Sequence, residues 1–290
     1  MSEKQGVGSS ILPLATSISN FLIKFLMEDL NKIFVFLEKL FPNYSEDITI
    51  FDIGSRDCKE AIEFSKRYQN AKIYSFEPNP DAIKIAKKNI SNFKNITLVE
   101  NAVSNINGSV DFYPINPELT ESPHEDGNIG ASSLFKASGK YPLEKYVQNK
   151  ITVESITIEK FCEDNGIELI DFVWMDLQGA EYLALKGFGK LLSNVKIIHT
   201  EAELFEIYEG QHFFKDIQNL LNKTHFLIDG DTKHNFFNNY IFIKKEFFRI
   251  FLKEFIKYKL HSIFVNIKTF LKPLKRIKRI PNKLKSALIR

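Results

Sequence analysis

Residues 48–81 read ITIFDIGSRDCKEAIEFSKRYQNAKIYSFEPNPD. Ile48, Ile50, Phe51 and Ile53 form a short, nearly continuous apolar run, the pattern of a parallel strand buried on both faces. Asp52 and Gly54 end it, with Ser55 next in the turn. Ala61, Ile62 and Phe64 suit a short helix over 58–69, and a second apolar run over 73–76 finishes at Glu77, Pro78 and Asn79. Such a βαβ unit can hold a nucleoside-containing ligand. Glycine at the first turn lets backbone approach the ligand, and a carboxylate ending the second strand accepts hydrogen bonds from ribose hydroxyls. A dinucleotide wants G-x-G-x-x-G to seat its pyrophosphate at a helix N-terminus. Here 54–59 is GSRDCK, with one glycine, and Asp57 repels phosphate. S-adenosylmethionine carries no phosphate and suits this turn better. A plain buried βαβ unit without a ligand is the alternative.

Outward from this unit the alternation continues. A helix is expected over 81–90, with Asn79 or Asp81 capping its start, then a strand over 96–99 ending at Glu100, Asn101 and Ala102. A strand or hairpin arm follows over 110–113. Residues 114–140 are polar and rich in Pro, Gly, Ser and Asn, a loop long enough to be functional or disordered. A strand over 151–156, a helix over 157–165 closed by Gly166, the buried strand LIDFVWM over 169–175, a helix over 180–192 and a strand over 195–198 come next. A helix over 213–221 and strands over 226–228 and 240–243 complete an α/β fold with a largely parallel sheet.

Composition bounds the classes. The 290 residues are 44% apolar, enough for a sizeable core, and include 27 Phe. Two cysteines, Cys58 and Cys162, make a disulfide framework improbable and suit a reducing, cytoplasmic setting. No Cys/His spacing suggests zinc. The first residues, MSEKQGVGSS, lack the apolar stretch of a signal peptide, and no apolar run spans a bilayer. Three segments are expected: 1–43, a disordered start and an amphipathic helix over 18–41 that caps the core; 44–243, the α/β domain; and 244–290, a basic extension.

In open α/β sheets ligands bind beyond the carboxyl ends of the strands. The polar residues expected there are Asp52 with Gly54, Glu77, Asn101, Asp176 with Glu181, and His199 with Glu201. Five strands delivering polar groups to one rim are harder to explain as turn caps than any one of them alone. The chain here resembles the FkbM family of S-adenosylmethionine-dependent methyltransferases. The matching stretches are FDIGSRD (51–57), FEPNP (76–80), ENAVSN (100–105), GASSL (130–134), DFVWMDLQGAEYLALKGFGKLL (171–192) and HTEAELFEIYEG (199–210).

The resemblance implies a Rossmann-like, seven-stranded class I methyltransferase sheet flanked by helices, and methylation, usually at oxygen, of sugars, glycans or related metabolites. It also implies roles. Asp52 and Gly54, with Ser55, lie under the methionine part of the cofactor. Glu77, with Pro78 and Asn79, holds the ribose. Asn101 and Ala102 lie beside adenine, and Asp176 is close to the sulfonium and the acceptor. The family often has a second glycine where Cys58 stands, and a side chain there narrows the pocket or shifts the helix start.

Oxygen methylation needs an aligned hydroxyl and a base to take its proton. His199 qualifies because imidazole titrates near neutrality; Glu181 and Glu201 are alternative bases, beside Asp176. Ser132, Ser133 and Gln178 are candidates for the acceptor side. Paired carboxylates can hold a divalent cation, but no diagnostic spacing supports one and no metal is expected. Competing readings are a nicotinamide-dependent oxidoreductase, which lacks its pyrophosphate loop, and a non-catalytic nucleoside- or glycan-binding module on the same sheet.

The net charge of +3 hides an asymmetry. Residues 244–290 hold fifteen Lys/Arg against two Asp/Glu, a net +13, which leaves −10 on the remainder. Phe248, Phe251, Leu252 and Phe255, then Ile263, Phe264, Ile267, Phe270, Leu271 and Leu274, fall at helical spacing beside lysines. That describes an interfacial helix on an anionic membrane, each basic residue near the surface adding about 1 kcal/mol. A helix packed on protein is the plain alternative. Nucleic acid, the rival anionic partner, has no accompanying motif. The full-length protein is expected to sediment with vesicles containing anionic lipid, less so at high salt, and a chain ending near Lys244 is not. Equal sedimentation of both, or of neither, would leave the segment as a packing element.

Overall fold

The computed structural model describes residues 37–38, 47–230 and 235–248. The chain divides into two units, residues 1–245 and 246–290; the fold is that of the first. Of the helix expected over 18–41, only 37–38 fall among the described residues. They are helical, with Leu37 buried and Glu38 accepting a 2.8 Å bond from Arg67. Of the expected membrane-surface helices only Phe248 falls among the described residues. Within them no helix is long and apolar enough to cross a membrane.

Seven strands form one sheet. They are β1 (Thr49–Ile53), β2 (Lys72–Phe76), β3 (Ile96–Val99), β7 (Ile170–Met175), β8 (Val195–Glu203), β9 (His225–Gly230) and β10 (Phe237–Lys244), in the order β3-β2-β1-β7-β8-β10-β9. All pairings are parallel except those of β10, which runs antiparallel to β8 and β9. The order reverses between β1 and β7, so a crevice opens beyond their carboxyl ends. Flanking helices are α1 (Lys59–Arg67), α2 (Pro80–Asn89), α3 (Ile158–Asn165), α4 (Glu181–Gly187) and α5 (Phe214–Leu221). Asn79 caps α2, its side chain accepting from Asp81 N at 3.1 Å with Pro80 in the first turn. Thr157 caps α3 and Gly166 closes it in the left-handed conformation.

The central strands carry apolar residues on both faces because helices cover both. On one face Phe51, Tyr74, Phe76 and Phe161 pack with ring centroids 5.0–5.8 Å apart, mostly edge to face. On the other, Phe64 meets Phe172 at 5.4 Å and Trp174 at 6.1 Å. Such pairs contribute about 0.5–1.5 kcal/mol each beyond the area they bury.

Two expectations change. The strands over 108–112 and 151–156 lie outside the main sheet: β5 (Gly108–Phe112) and β6 (Ile151–Ile156) pair antiparallel, and β4 (Ala102–Val103) adds to β6. The strand expected over 195–198 continues to Glu203, because β10 pairs it as far as Phe237–Glu203. His199 therefore sits mid-strand, not at a strand end.

The polar segment between β5 and β6 is folded with little regular structure. Isolated bridges join Tyr113 to Ser133, Ile115 to Gln148, Glu121 to Lys145 and Ala137 to Tyr208. Side chains satisfy the backbone that strands do not. Gln148 Oε1 accepts from Ala137 N at 2.7 Å, and its Nε2 donates to Tyr113 O at 3.2 Å. The buried Glu144 accepts from Ser122 and from Asn128 Nδ2.

The sheet is locked at its reversal. Gly54, at φ 84°, turns so tightly that a Cβ there would stand 1.8 Å from Asp176 O. Only glycine fits that backbone and that space. Gly54→Ala is expected to lower the unfolding free energy by about 2–4 kcal/mol, overpacking and left-handed strain together, as read by urea denaturation. A loss under about 1 kcal/mol would mean that the turn opens freely.

Candidate active site

At the reversal, Gly54 N and Ser55 N both donate to Phe76 O at 3.0 Å, and Asp176 N donates to Ile53 O at 3.0 Å. These bonds hold the ends of β1, β2 and β7 together. A cleft open to solvent lies above them. Of the residues expected from sequence, Gly54, Glu77, Pro78, Asn79, Asn101, Ala102, Ser132, Ser133 and Asp176 line it. Its apolar wall includes Phe76, Val103, Phe112, Ile129 and Leu134.

Glu77 is the best-held carboxylate of the cleft. Its Oε2 accepts from Arg56 N at 2.7 Å and its Oε1 from Asn79 N at 2.8 Å. Only 6% of the residue is exposed, and burial pushes its pKa up to about 7 against those bonds.

Asp52 and Ser55 stand behind the cleft and do not line it. Asp52 is fully buried in β1, its Oδ2 accepting from Ser75 Oγ at 3.3 Å and its Oδ1 without a partner. Burial, then the charge of Glu60, raises its pKa well above the ordinary carboxylate range. Cys58 takes the left-handed backbone, φ 62° and ψ 26°, at the start of α1. The glycine-type turn is thus kept with a side chain in it. That side chain is buried, with Sγ 3.6 Å from Ser55 Oγ.

A second group of carboxylates gathers where β7 and β8 end. Asp176 and Glu201 are half-buried, and one amide joins them: Gln178 Nε2 donates to Asp176 Oδ1 at 2.7 Å and to Glu201 Oε1 at 3.2 Å. Glu181 and Glu203 are buried more deeply. Glu181 Oε1 accepts from Leu177 N at 2.6 Å, while Glu181 Oε2 and Glu203 Oε2 have no partner. Burial raises all four, and the charges of Asp176, Glu181 and Glu201 raise their neighbours further. Gln178 acts the other way on Asp176 and Glu201 by stabilising their ionised forms. Such a group shares protons over its members instead of carrying four charges at once. Among the described residues no set of three or more His, Cys, Asp or Glu side chains is placed to hold a metal.

His199 is placed otherwise. Its ring stacks on Trp174 at 3.9 Å and 15°, it is 3% exposed, and burial lowers its pKa to about 3. Gln178 is committed to protein partners through both ends of its amide. Sequence reasoning missed Arg56, Glu203 and Tyr208. Arg56 lines the cleft, holds a left-handed backbone at φ 49° and pairs with Asp126 of the polar segment. Glu203 and Tyr208 lie in the quoted stretch 199–210, but ending the strand at 198 hid their approach to the rim.

Residues 52–228 match the Methyltransferase FkbM domain. The 2-O-methyltransferase NoeI of Sinorhizobium fredii is 32% identical over 184 residues, 60% of this chain and 71% of that protein. The hexuronic acid methyltransferase AglP of Haloferax volcanii is 22% identical over 221 residues, 73% of this chain and 80% of that protein. Among solved structures, a precorrin-6y C5,15-methyltransferase from Geobacter metallireducens superposes with a TM-score of 0.41 at 15% identity, over 76% of this chain and 90% of that one. With the match running from the end of β1 to β9 across the whole rim, the chain belongs to the FkbM-domain methyltransferases.

Proposed function

We propose that the protein transfers the methyl group of S-adenosylmethionine to a hydroxyl oxygen of a saccharide acceptor. The observation that carries this reading is the pairing, at one rim, of a cleft built on Gly54 and Glu77 with the proton-exchanging group at Asp176 and Glu201. The residues fit the cofactor. Glu77 keeps lone pairs for two ribose hydroxyls while its backbone bonds fix its direction. Gly54 presents bare backbone to the cleft, and Phe76, Ala102 and Phe112 supply apolar wall for a base. When bound, the cofactor supplies an electrophilic methyl group on a sulfonium.

The chain's own residues do the rest. Asp176 and Glu201, joined by the Gln178 amide, receive the proton that the acceptor hydroxyl gives up as its oxygen gains the methyl group. Burial makes each of them a stronger proton acceptor than an exposed carboxylate, and the Gln178 hydrogen bonds, with Arg56 at Asp176, support the ionised form that accepts. His199, stacked and held neutral, orients Trp174 instead of taking the proton. Ser132 and the 113–150 segment border the cleft on the acceptor side. The relatives' names, a 2-O-methyltransferase and a hexuronic acid methyltransferase, favour a sugar acceptor.

Calorimetry with S-adenosylmethionine tests the cofactor. Glu77→Ala is expected to weaken binding by about 1.5–3 kcal/mol; unchanged affinity in a folded variant would remove Glu77 from the site. Ribose hydroxyls donate to the ionised carboxylate, so binding must discharge the proton held below pH 7. Affinity should therefore be flat above pH 8 and fall about tenfold between pH 8 and pH 6.

Transfer of labelled methyl to neutral sugars and hexuronic acids tests the reaction. Glu201→Gln is expected to cut turnover by about 10²–10⁴ while cofactor affinity stays within threefold or so. Tight cofactor binding with no transfer to any saccharide would point to a binding module, and saturable NADH binding to an oxidoreductase.

A further inference from the structure

One side chain outside the proposed transfer machinery touches both of its halves. Tyr208 follows β8 and is fully buried. Its hydroxyl lies 2.9 Å from Gln178 Oε1 and 2.9 Å from Ala131 O. Gln178 is the residue whose Nε2 reaches Asp176 and Glu201. Its backbone is left-handed, φ 53°, and its carbonyl accepts from Ser133 Oγ at 2.7 Å. The 131–133 turn of the polar segment and the carboxylate pair therefore meet through this one amide.

We infer that Tyr208 is a positioning residue whose single hydroxyl proton, shared between Gln178 Oε1 and Ala131 O, holds the Gln178 amide in the orientation that bridges Asp176 and Glu201. As a role in methyl transfer it rests on the function proposed above. An amide has one donor end and one acceptor end. Both N–H groups of Gln178 face carboxylates, so Oε1 needs a donor on the other side, and Tyr208 is that donor. Burial keeps the phenol protonated across the working range. With the donor removed, the half-buried Oε1 loses its hydrogen-bond donor, and the amide turns away to find another.

The ring is set to do this. A Cβ on Gly179 would stand 3.2 Å from Tyr208 Cδ2 and 3.2 Å from Gln211 Cβ, so the glycine lets the ring close under the turn. Gln211 Oε1 accepts from Ile207 N at 2.8 Å and from Tyr208 N at 2.6 Å, fixing the backbone. Tyr146 stacks on the other side at 6.2 Å and 16°. A phenylalanine would fill the same space. What the hydroxyl adds is one proton, shared between the Gln178 amide oxygen and the Ala131 carbonyl.

The consequence is electrostatic. Asp176 faces Arg56, which favours its ionised form, and Glu60, Glu181, Glu201 and Glu203, which it repels; Glu201 faces Asp176, Glu181, Glu203, Tyr141 and Tyr146. The Gln178 amide stabilises both ions at once. Tyr208→Phe should release it and raise the titration midpoints of Asp176 and Glu201 together.

The test is a carbon-13 carboxyl titration of the free full-length protein from pH 4 to 9, with the two signals assigned through Asp176→Asn and Glu201→Gln. In Tyr208→Phe both midpoints are expected to rise by about half a pH unit or more, with Glu77 unmoved. Midpoints equal to those of the wild type would overturn the inference. Gln178→Leu is the second variant: it should produce the same rise, and adding Tyr208→Phe to it should produce no more. A further rise in the double variant would show that Tyr208 acts by another route and also overturns it. Because the titration needs no cofactor, failure of the wild-type protein to bind S-adenosylmethionine would remove the methyltransferase reading alone.

Discussion

Everything at the rim depends on one close approach. The carbonyl of Asp176 occupies the place where any side chain on residue 54 would stand. Glycine there lets β1 turn beneath the end of β7, and the turn then donates two backbone N–H groups to Phe76 O of β2. Three strand ends are joined chiefly by main-chain bonds, with the Glu77 carboxylate adding one from Arg56 N. Side chains are left free to face the cleft, and their positions are inherited from the sheet instead of from flexible loops.

That rigidity makes it possible to keep carboxylates in low-dielectric surroundings. A buried carboxylate without a counter-charge holds its proton, and the chain does this at two places for two ends. Glu77 keeps its direction through two backbone donors. The group on β7 and β8 shares its protons over several acids, steadied by one neutral amide. Among the described residues no lysine or arginine forms an ion pair with the latter group. Arg56, the nearest cation in effect on Asp176, is also paired with Asp126. The group therefore stays able to take up a proton, which a full ion pair would prevent.

The polar segment between β5 and β6 is the other half of the site. It carries almost no regular structure, yet Glu144 and Gln148 satisfy its turns from within. Arg56–Asp126, Ser133–Gln178 and Tyr208–Ala131 bind it to the sheet. A segment held this way can vary in sequence while the sheet beneath it stays the same, as expected of the part of an enzyme that meets its acceptor.

Local pattern determined the sheet. Apolar runs of strand length, separated by helical spacing and closed by Gly54, Asn79 and Gly166, sufficed for the alternation, for the parallel character and for the rim residues Glu77, Asn101 and Asp176. These signals are local because propensity and burial act residue by residue. Only tertiary structure decided which strand-end groups face the cleft. Asp52 turns into the sheet, and His199 became a mid-strand residue because β10, forty residues further on, extended β8 to Glu203. The same holds for Arg56 and Tyr208. One depends on a left-handed turn that nothing in its side chain announces, and the other on a hydroxyl meeting residues 77 and 30 positions away. Hydrogen bonds between distant segments are set by how the layers pack, and no periodicity in the chain records them.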